Sequence, residues 1–315
     1  MVMDADVIVI GGGPAGLAGA TTLARARRRV VVVDAGQPRN AKADGVHSYL
    51  SRDGTAPGDL LAVGREELAS YGGTLVPGTA TTARALDDGF DVTLADGSTL
   101  TARRLLVTTG AVDELPDVPG LAEQWGSGVV HCPYCHGWEV RDQRIAVLAT
   151  NLAAVMHAGL LWSQWSDDVT VLLHEQQAPA AEQAALLEAR GVRVLAGRVE
   201  RVVSAEDGRL VGVDVDGSRV DCSALVVPSF VRASSSVLDA LGVVPQDFAM
   251  AGTVVGTYVA VDAMTGATSV PGVYAAGNIT SPAAQVISSA AAGVMAAAQI
   301  NMALVMADAS AAVAS

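Results

Sequence analysis

Asp6-Val7-Ile8-Val9-Ile10-Gly11-Gly12-Gly13-Pro14-Ala15-Gly16 is the stretch that decides the fold. Its β-branched run suits a parallel strand buried on both faces. The run feeds directly into Gly-x-Gly-x-x-Gly, the spacing expected at a strand-to-helix turn that receives a dinucleotide. Gly11 permits the tight turn, Gly13 lets a pyrophosphate approach the backbone, and Gly16 lets the helix pack on the strand. Pro14 and Ala15 lie in the turn, and the helix N-terminus offers free N–H groups and a positive dipole end to the phosphates. Leu17 to Arg28 is expected as helix and Val30 to Val33 as the next strand. Asp34 ends that strand, 18 residues after Gly16, where a carboxylate accepts hydrogen bonds from an adenosine ribose. The glycines alone are a weak signal; with strand, helix and acid in register they are a strong one.

Working outward, residues 35 to 60 are rich in Gly and Pro and read as loop, and Asp59 to Tyr71 reads as helix. A hairpin signal at Asp96-Gly97 precedes the buried strand Leu105-Leu106-Val107, which ends in Thr108-Thr109-Gly110 and can bring backbone close to a dinucleotide. Pro116 and Pro119-Gly120 mark a crossing between domains. The pattern then repeats once: Asp216-Gly217-Ser218 before Leu225-Val226-Val227 echoes Asp96-Gly97-Ser98 before Leu105-Leu106-Val107, 120 residues apart. In that alignment Cys222 matches Ala102, which makes it a small buried hydrophobe. Arg144 to Ala149 repeats the strand character of residues 6 to 10, but Ala149-Thr150-Asn151-Leu152-Ala153-Ala154 follows, with no glycine until Gly159. Strand Val169 to Leu173 ends at His174-Glu175 with no neighbouring arginine in the chain, so NADPH binding is expected to be weak or absent there. From about residue 245 the chain returns to the first domain. Val270 to Asn278 reads as a strand ending in a glycine turn at Gly277-Asn278, and Thr280-Ser281-Pro282 signals a helix start running through Gln285. The expected fold is α/β, with two Rossmann-like three-layer nucleotide-binding domains, the second inserted into the first. The first comprises 1–118 plus 245–315 and the second 119–244.

A chain of 315 residues suits two domains, and 50% apolar against 17% charged residues can fill two interiors. The net charge of −13 argues against nucleic acid and against anionic membrane surfaces as partners. The single basic cluster, Arg25 to Arg29, sits at a helix C-terminus, where cations are favoured. Met1-Val2-Met3-Asp4-Ala5-Asp6 has no basic export region, so a cytoplasmic location is expected. The Ala-rich tail from 283 to 315 is interrupted by Gln285, Gln299, Asn301 and Asp308, and is expected to be a buried helix instead of a membrane span.

His131-Cys132-Pro133-Tyr134-Cys135-His136-Gly137-Trp138-Glu139 holds two of the three cysteines. In a reducing compartment a Cys-x-x-Cys pair is catalytic or metal-binding more readily than structural. Zinc needs two further ligands at suitable spacing; no second Cys-x-x-Cys exists and His131 and His136 are too close in sequence, so no metal is expected.

Taken in order, these motifs resemble the low-molecular-weight thioredoxin reductase-like flavoproteins over nearly the whole chain. The resemblance implies FAD as cofactor, held by Gly11, Gly13, Pro14, Ala15, Gly16 and Asp34 at the adenylate and pyrophosphate end and by Thr109 and Gly110 at a second contact. Gly277 and Asn278 would lie on the flavin-binding strand, where many members have Asp in place of Asn278. Gln285, Val286 and Ile287 would start the helix under the isoalloxazine. It further implies that Cys135 exchanges electrons with the flavin, that Cys132 attacks the substrate sulfur, and that the protein is a homodimer. His136 stands where thioredoxin reductases commonly place an acid/base aspartate, with His131 as its rival. The Cys-Pro-Tyr-Cys-His-Gly-Trp-Glu form beside an eroded second nucleotide site is similar to the branch containing the gliotoxin- and holomycin-type oxidases. That branch implies a small-molecule dithiol as substrate, closed to a disulfide, and molecular oxygen as acceptor giving hydrogen peroxide. An NAD(P)H-dependent disulfide reductase and a non-enzymatic flavin redox sensor are the alternatives.

Overall fold

Residues 3–314 are described in a computed structural model of the chain, apart from the side chains of Ala153 and Ala154; Met1 and Val2, which open the N-terminal stretch read above, lie outside it. The first sheet runs in the order Thr74–Pro77, Val30–Asp34, Ala5–Ile10, Thr99–Val107, Gly89–Leu94, Ala80–Leu86, and Val273–Ala275 pairs with the end of Thr99–Val107. Its centre is parallel, with Ile8 opposite both Val31 and Leu105 and with Tyr274 opposite Leu106. Strand side chains alternate between two faces, and each face here has its own interior. Ile8, Ile10, Val33, Leu105 and Val107 bury on one side, while Val7, Val9, Val32 and Leu106 bury on the other. Burial on both faces is why these strands read as unbroken apolar runs.

Three helices cover the second face: Pro14–Arg25, Pro57–Ser70 and Val286–Ala314. The first ends at Arg25, short of Arg28, because Arg27 turns left-handed (φ 66°). The basic residues beyond it act as clasps: Arg28 donates to Asn301 Oδ1 and to Asp308, and Arg29 donates to the carbonyl of Met3. The last helix is long and apolar enough to span a membrane. Here, however, Gly293, Ala296, Ala297, Ile300 and Leu304 are buried in the interior it shares with Pro14–Arg25. Gly293 is required for this, since a Cβ would stand 2.0 Å from the carbonyl oxygen of Ala15. The helix begins at Val286 and not at Pro282. The amide of Asn278 donates to the carbonyl oxygens of Ser281, Pro282 and Ala284, which holds that segment in a turn.

The central unit repeats the plan. Its parallel sheet runs Arg193–Leu195, Val169–Leu172, Ile145–Leu148, Ala224–Val226, Val129–Val130, beside an antiparallel meander of Val199–Ser204, Leu210–Val215 and Ser218–Asp221. Asp216-Gly217 is the two-residue hairpin turn, with both residues at positive φ (45° and 75°). Cys222 is buried in this interior, and burial first of all pushes its thiol up to about 12, so it is inert as a nucleophile. Ala111–Glu114 and Phe230–Ala233, the strands at the two crossings, pair antiparallel. Leu115 and Val118 already pack in the central interior. Ala233, Val237, Leu238 and Val243 already pack in the first, so the chain returns ahead of residue 245.

Candidate redox site

A cavity of about 830 Å³ runs from the glycine turn to the cysteine pair, lined on one side by Gly11, Gly12, Gly13 and Asp34 and on the other by Cys132, Cys135 and His136. The three glycines of the fingerprint differ in what they face. At Gly11, with φ 103°, a Cβ would meet the Thr108 carbonyl oxygen at 2.5 Å; at Gly16 it would lie 1.9 Å from the Gly11 carbonyl oxygen. At Gly13 it would meet nothing within 4 Å, because that position opens into the cavity. The turn is therefore tight underneath and bare on top, which is the shape a diphosphate needs. The Asp34 carboxylate accepts from the Gly12 N–H at 3.0 Å and faces Arg65 at 3.4 Å. Thr108 supports the turn from below, its hydroxyl donating to the carbonyl of Gly11 at 2.8 Å.

Pro14, Ala15, Thr109, Gly110, Gly277, Asn278, Gln285 and Val286 all line the same cavity. Asn278 commits its Nδ2 to three backbone carbonyls, which leaves Oδ1 as the atom for a ligand hydroxyl. Two of the expected contacts fall elsewhere: Gly16 is in the packing beneath the turn, and Ile287 sits outside the lining and is 37% exposed.

The cysteines sit at the start of and within a single helical turn, Pro133–His136. Cys132 is its N-cap residue, and its carbonyl accepts from the N–H groups of Cys135 and His136. They are joined as a disulfide, with Cα atoms 5.2 Å apart. Gly137 lets this turn seat on Trp165, since a Cβ there would lie 2.8 Å from the indole. His136 is partly buried, and neither of its ring nitrogens has a hydrogen-bond partner. Burial is the main cause that holds it below its ordinary value, with Glu139 pulling the other way. His131 stacks on Trp125 at 5.7 Å; burial, followed by the charge of Arg39, drives it down to about 4. His131 is thus neutral at physiological pH and a poor proton acceptor there.

Three groups that sequence reasoning missed also meet in this cavity. Arg39 makes a two-pronged contact with Asp113, 2.6 Å on each arm, and Ser229 donates to the same carboxylate. Burial would raise the Asp113 carboxyl, but the Arg39 hydrogen bonds and charge outweigh it and hold the group below the usual range. His47, from the loop after Asp34, reaches Glu139 of the redox segment at 3.5 Å. No local motif marks these residues; each belongs to a loop or crossing strand whose partner is far away in sequence.

A dinucleotide cradle and a redox disulfide opening into one cavity define a flavin disulfide oxidoreductase. The chain belongs to the pyridine nucleotide-disulphide oxidoreductase family, whose model matches residues 5–299, and FAD is its cofactor. It is 31% identical over 320 residues to "Thioredoxin reductase sirT" of Leptosphaeria maculans, covering 96% of this chain and 95% of that one. It is 32% identical to "Thioredoxin reductase tcpT" of Claviceps purpurea, over 75% of this chain and 77% of that one. Among solved structures it resembles HlmI (44% identity, TM-score 0.88, 98% and 95% coverage). It also resembles an oxidoreductase from Agrobacterium tumefaciens (35% identity, TM-score 0.88, 96% and 99% coverage). The expected thioredoxin reductase-like architecture is the one found.

Proposed function

We propose that this oxidoreductase is a dithiol oxidase: it closes a disulfide in a small-molecule dithiol and delivers the two electrons to molecular oxygen as hydrogen peroxide. The observation that carries this reading is the contrast between the two nucleotide turns. The first has its bare glycine cradle. In the second, Ala149-Thr150-Asn151 follows the strand where the first has Gly11-Gly12-Gly13; Ala149 is buried and the Thr150 hydroxyl donates to the Pro228 carbonyl. The sequence expectation that no arginine lies near that site needs correction. Arg198 comes in from the neighbouring loop, though it faces Glu175 at 3.7 Å.

FAD, when bound, supplies the two-electron acceptor that oxygen regenerates. The chain's own residues handle the sulfur and the protons. His136 takes a proton from one substrate thiol, and the thiolate attacks Cys132 Sγ, breaking the Cys132–Cys135 bond and releasing Cys135 as thiolate. The second substrate thiolate then displaces Cys132, forming the product disulfide. The two substrate electrons remain on Cys132 and Cys135 as thiolates and its two protons remain on the protein.

The alternative is a reductase fed by NAD(P)H, favoured by the names of the sirT and tcpT relatives and by the position of Arg198. Stopped-flow mixing separates the two. We expect dithiothreitol to bleach the flavin and oxygen to restore it with one peroxide per dithiol, while NADPH and NADH leave it oxidised on that timescale. Rapid bleaching by NADPH without oxygen-dependent dithiol turnover would sink the proposal.

The acid/base assignment carries its own expectation. Because burial keeps His136 neutral below the ordinary histidine range, the acid limb of kcat/KM for a dithiol should lie below pH 6.5. Activity then persists as pH falls from 7 and is lost only on passing that lowered value. In His136→Ala this limb should vanish and the rate drop by roughly 10²-fold or more; an unchanged limb would move the role elsewhere.

A further inference from the structure

Oxidising a dithiol removes two protons, and the mechanism above has one base next to the cysteines. After the first thiol has been deprotonated, His136 carries that proton and cannot accept the second until the first has gone. Among the described residues neither ring nitrogen of His136 has a hydrogen-bond partner, and the side chains around it are where a carrier for its proton is to be sought. Of the chain's five histidines, His47, His131 and His136 line that cavity. His131 is excluded as a carrier by its stacking on Trp125 and its low proton affinity.

His47 is differently placed. Its Nδ1 lies 3.3 Å from Asp53 and its Nε2 3.5 Å from Glu139, so the ring bridges a carboxylate of its own loop and one from the redox segment. Asp53 is fixed by the Ser48 N–H at 2.9 Å, and its side chain is 70% exposed. Val46 is buried beside the ring, and the loop is closed by hydrogen bonds between Val46 and Thr55 and from Gly54 to Val46. The charged or titratable groups that act on His136 are Glu139, His47 and Asp44. Among them His47 is the imidazole, with a carboxylate at each ring nitrogen. Glu139 follows His136 by three residues, its charge reaches the His136 ring, and its carboxylate contacts His47.

We propose that His47, with Glu139 as the bridge, receives the first substrate proton from His136, so that His136 is neutral again when the second thiol must be deprotonated. Per turnover, one thiol proton ends on His47 and the other on His136, while the two sulfur electrons end on Cys132 and Cys135. His47 is a positioning residue in this scheme, acting through His136. The inference rests on the thiol–disulfide part of the proposed function and not on oxygen as acceptor.

The test uses the FAD-loaded protein without oxygen and reads covalent species by rapid acid quench and intact-mass spectrometry. With 2-mercaptoethanol, which needs one deprotonation, His47→Gln should form the Cys132 mixed disulfide within about twofold of the wild-type rate. With dithiothreitol the same variant should accumulate the mixed disulfide, its resolution slowed about a hundredfold, the low end for a positioned acid–base group. Added imidazole should restore that second step. Glu139→Gln, at an exposed position, should show the same pattern and carries the test if His47→Gln fails to fold. The proposal is overturned if no mixed disulfide accumulates in either variant, if both steps slow together, or if imidazole leaves the second step slow. Reduction by dithiothreitol that keeps the expected pattern but gives no peroxide in air would refute the oxidase reading and leave the relay standing.

Discussion

Cys135→Ser is expected to lower dithiol turnover by roughly 10⁴-fold or more, the scale seen when one member of a covalent catalytic unit is removed. Without Cys135 no internal disulfide can form, so Cys132 rests as a free thiol and the electron pair has no sulfur acceptor. The fold should survive, because both sulfurs belong to a single solvent-accessible turn and support none of the four buried interiors. The informative readout is what becomes of Cys132. Offered an oxidised small disulfide, the variant should trap it as a stable adduct of one-to-one stoichiometry, visible by intact mass. The wild type, in its reduced form, should release the partner through Cys135. If Cys135→Ser retained oxygen-dependent turnover within tenfold of wild type, the pair would be bystanders and the flavin would meet the substrate directly.

The second large effect concerns the cradle. Gly13→Asp adds a side chain where the first Cβ meets no atom within 4 Å, so the apoprotein should fold with an unchanged circular dichroism spectrum. The new carboxylate would stand in the space left for a diphosphate. Two unit charges 4 Å apart cost about 4 kcal/mol at an effective dielectric near 20, so FAD affinity should fall roughly a thousandfold. Gly16→Ala provides the contrast: its Cβ would press on the Gly11 carbonyl at 1.9 Å, and backbone cannot yield cheaply. That change should destabilise the protein by about 3 kcal/mol or more and lower the unfolding temperature even with FAD present. Equal FAD affinity for Gly13→Asp and wild type, read by flavin fluorescence quenching, would refute the placement of the cofactor.

Much of this was legible in the chain for a physical reason. Strands buried on two faces must be apolar throughout, so Ala5–Ile10 and Thr99–Val107 announce themselves. A glycine turn between strand and helix tolerates few substitutes, and the repeat around Asp96-Gly97 and Asp216-Gly217 betrays the second unit. What stayed hidden depends on contacts between distant segments. The Arg39–Asp113–Ser229 knot joins a loop to both crossing strands. The His47–Glu139 contact joins that loop to the redox turn, and Arg198 reaches Glu175 from the loop just ahead of Val199–Ser204. The start of the last helix was misplaced because Pro282 is a good first-turn residue locally, while the Asn278 side chain competes for the same carbonyls. No motif marks Gly293 within the Ala-rich tail; its role is set by close contact with Ala15, far away in the chain.

That last contact has a consequence during synthesis. The cradle at Gly11 to Gly16 is made before the central unit, yet Gly277, Asn278 and the start of Val286–Ala314, which line the same cavity, are made after it. Domains ordinarily fold in the order they are made, but here the central unit is complete while the first is still missing a strand and its longest helix. Until then Leu105–Val107 is paired on one side only, by Ile8–Ile10, and its other side lacks Val273–Ala275; such open edges invite association with other chains.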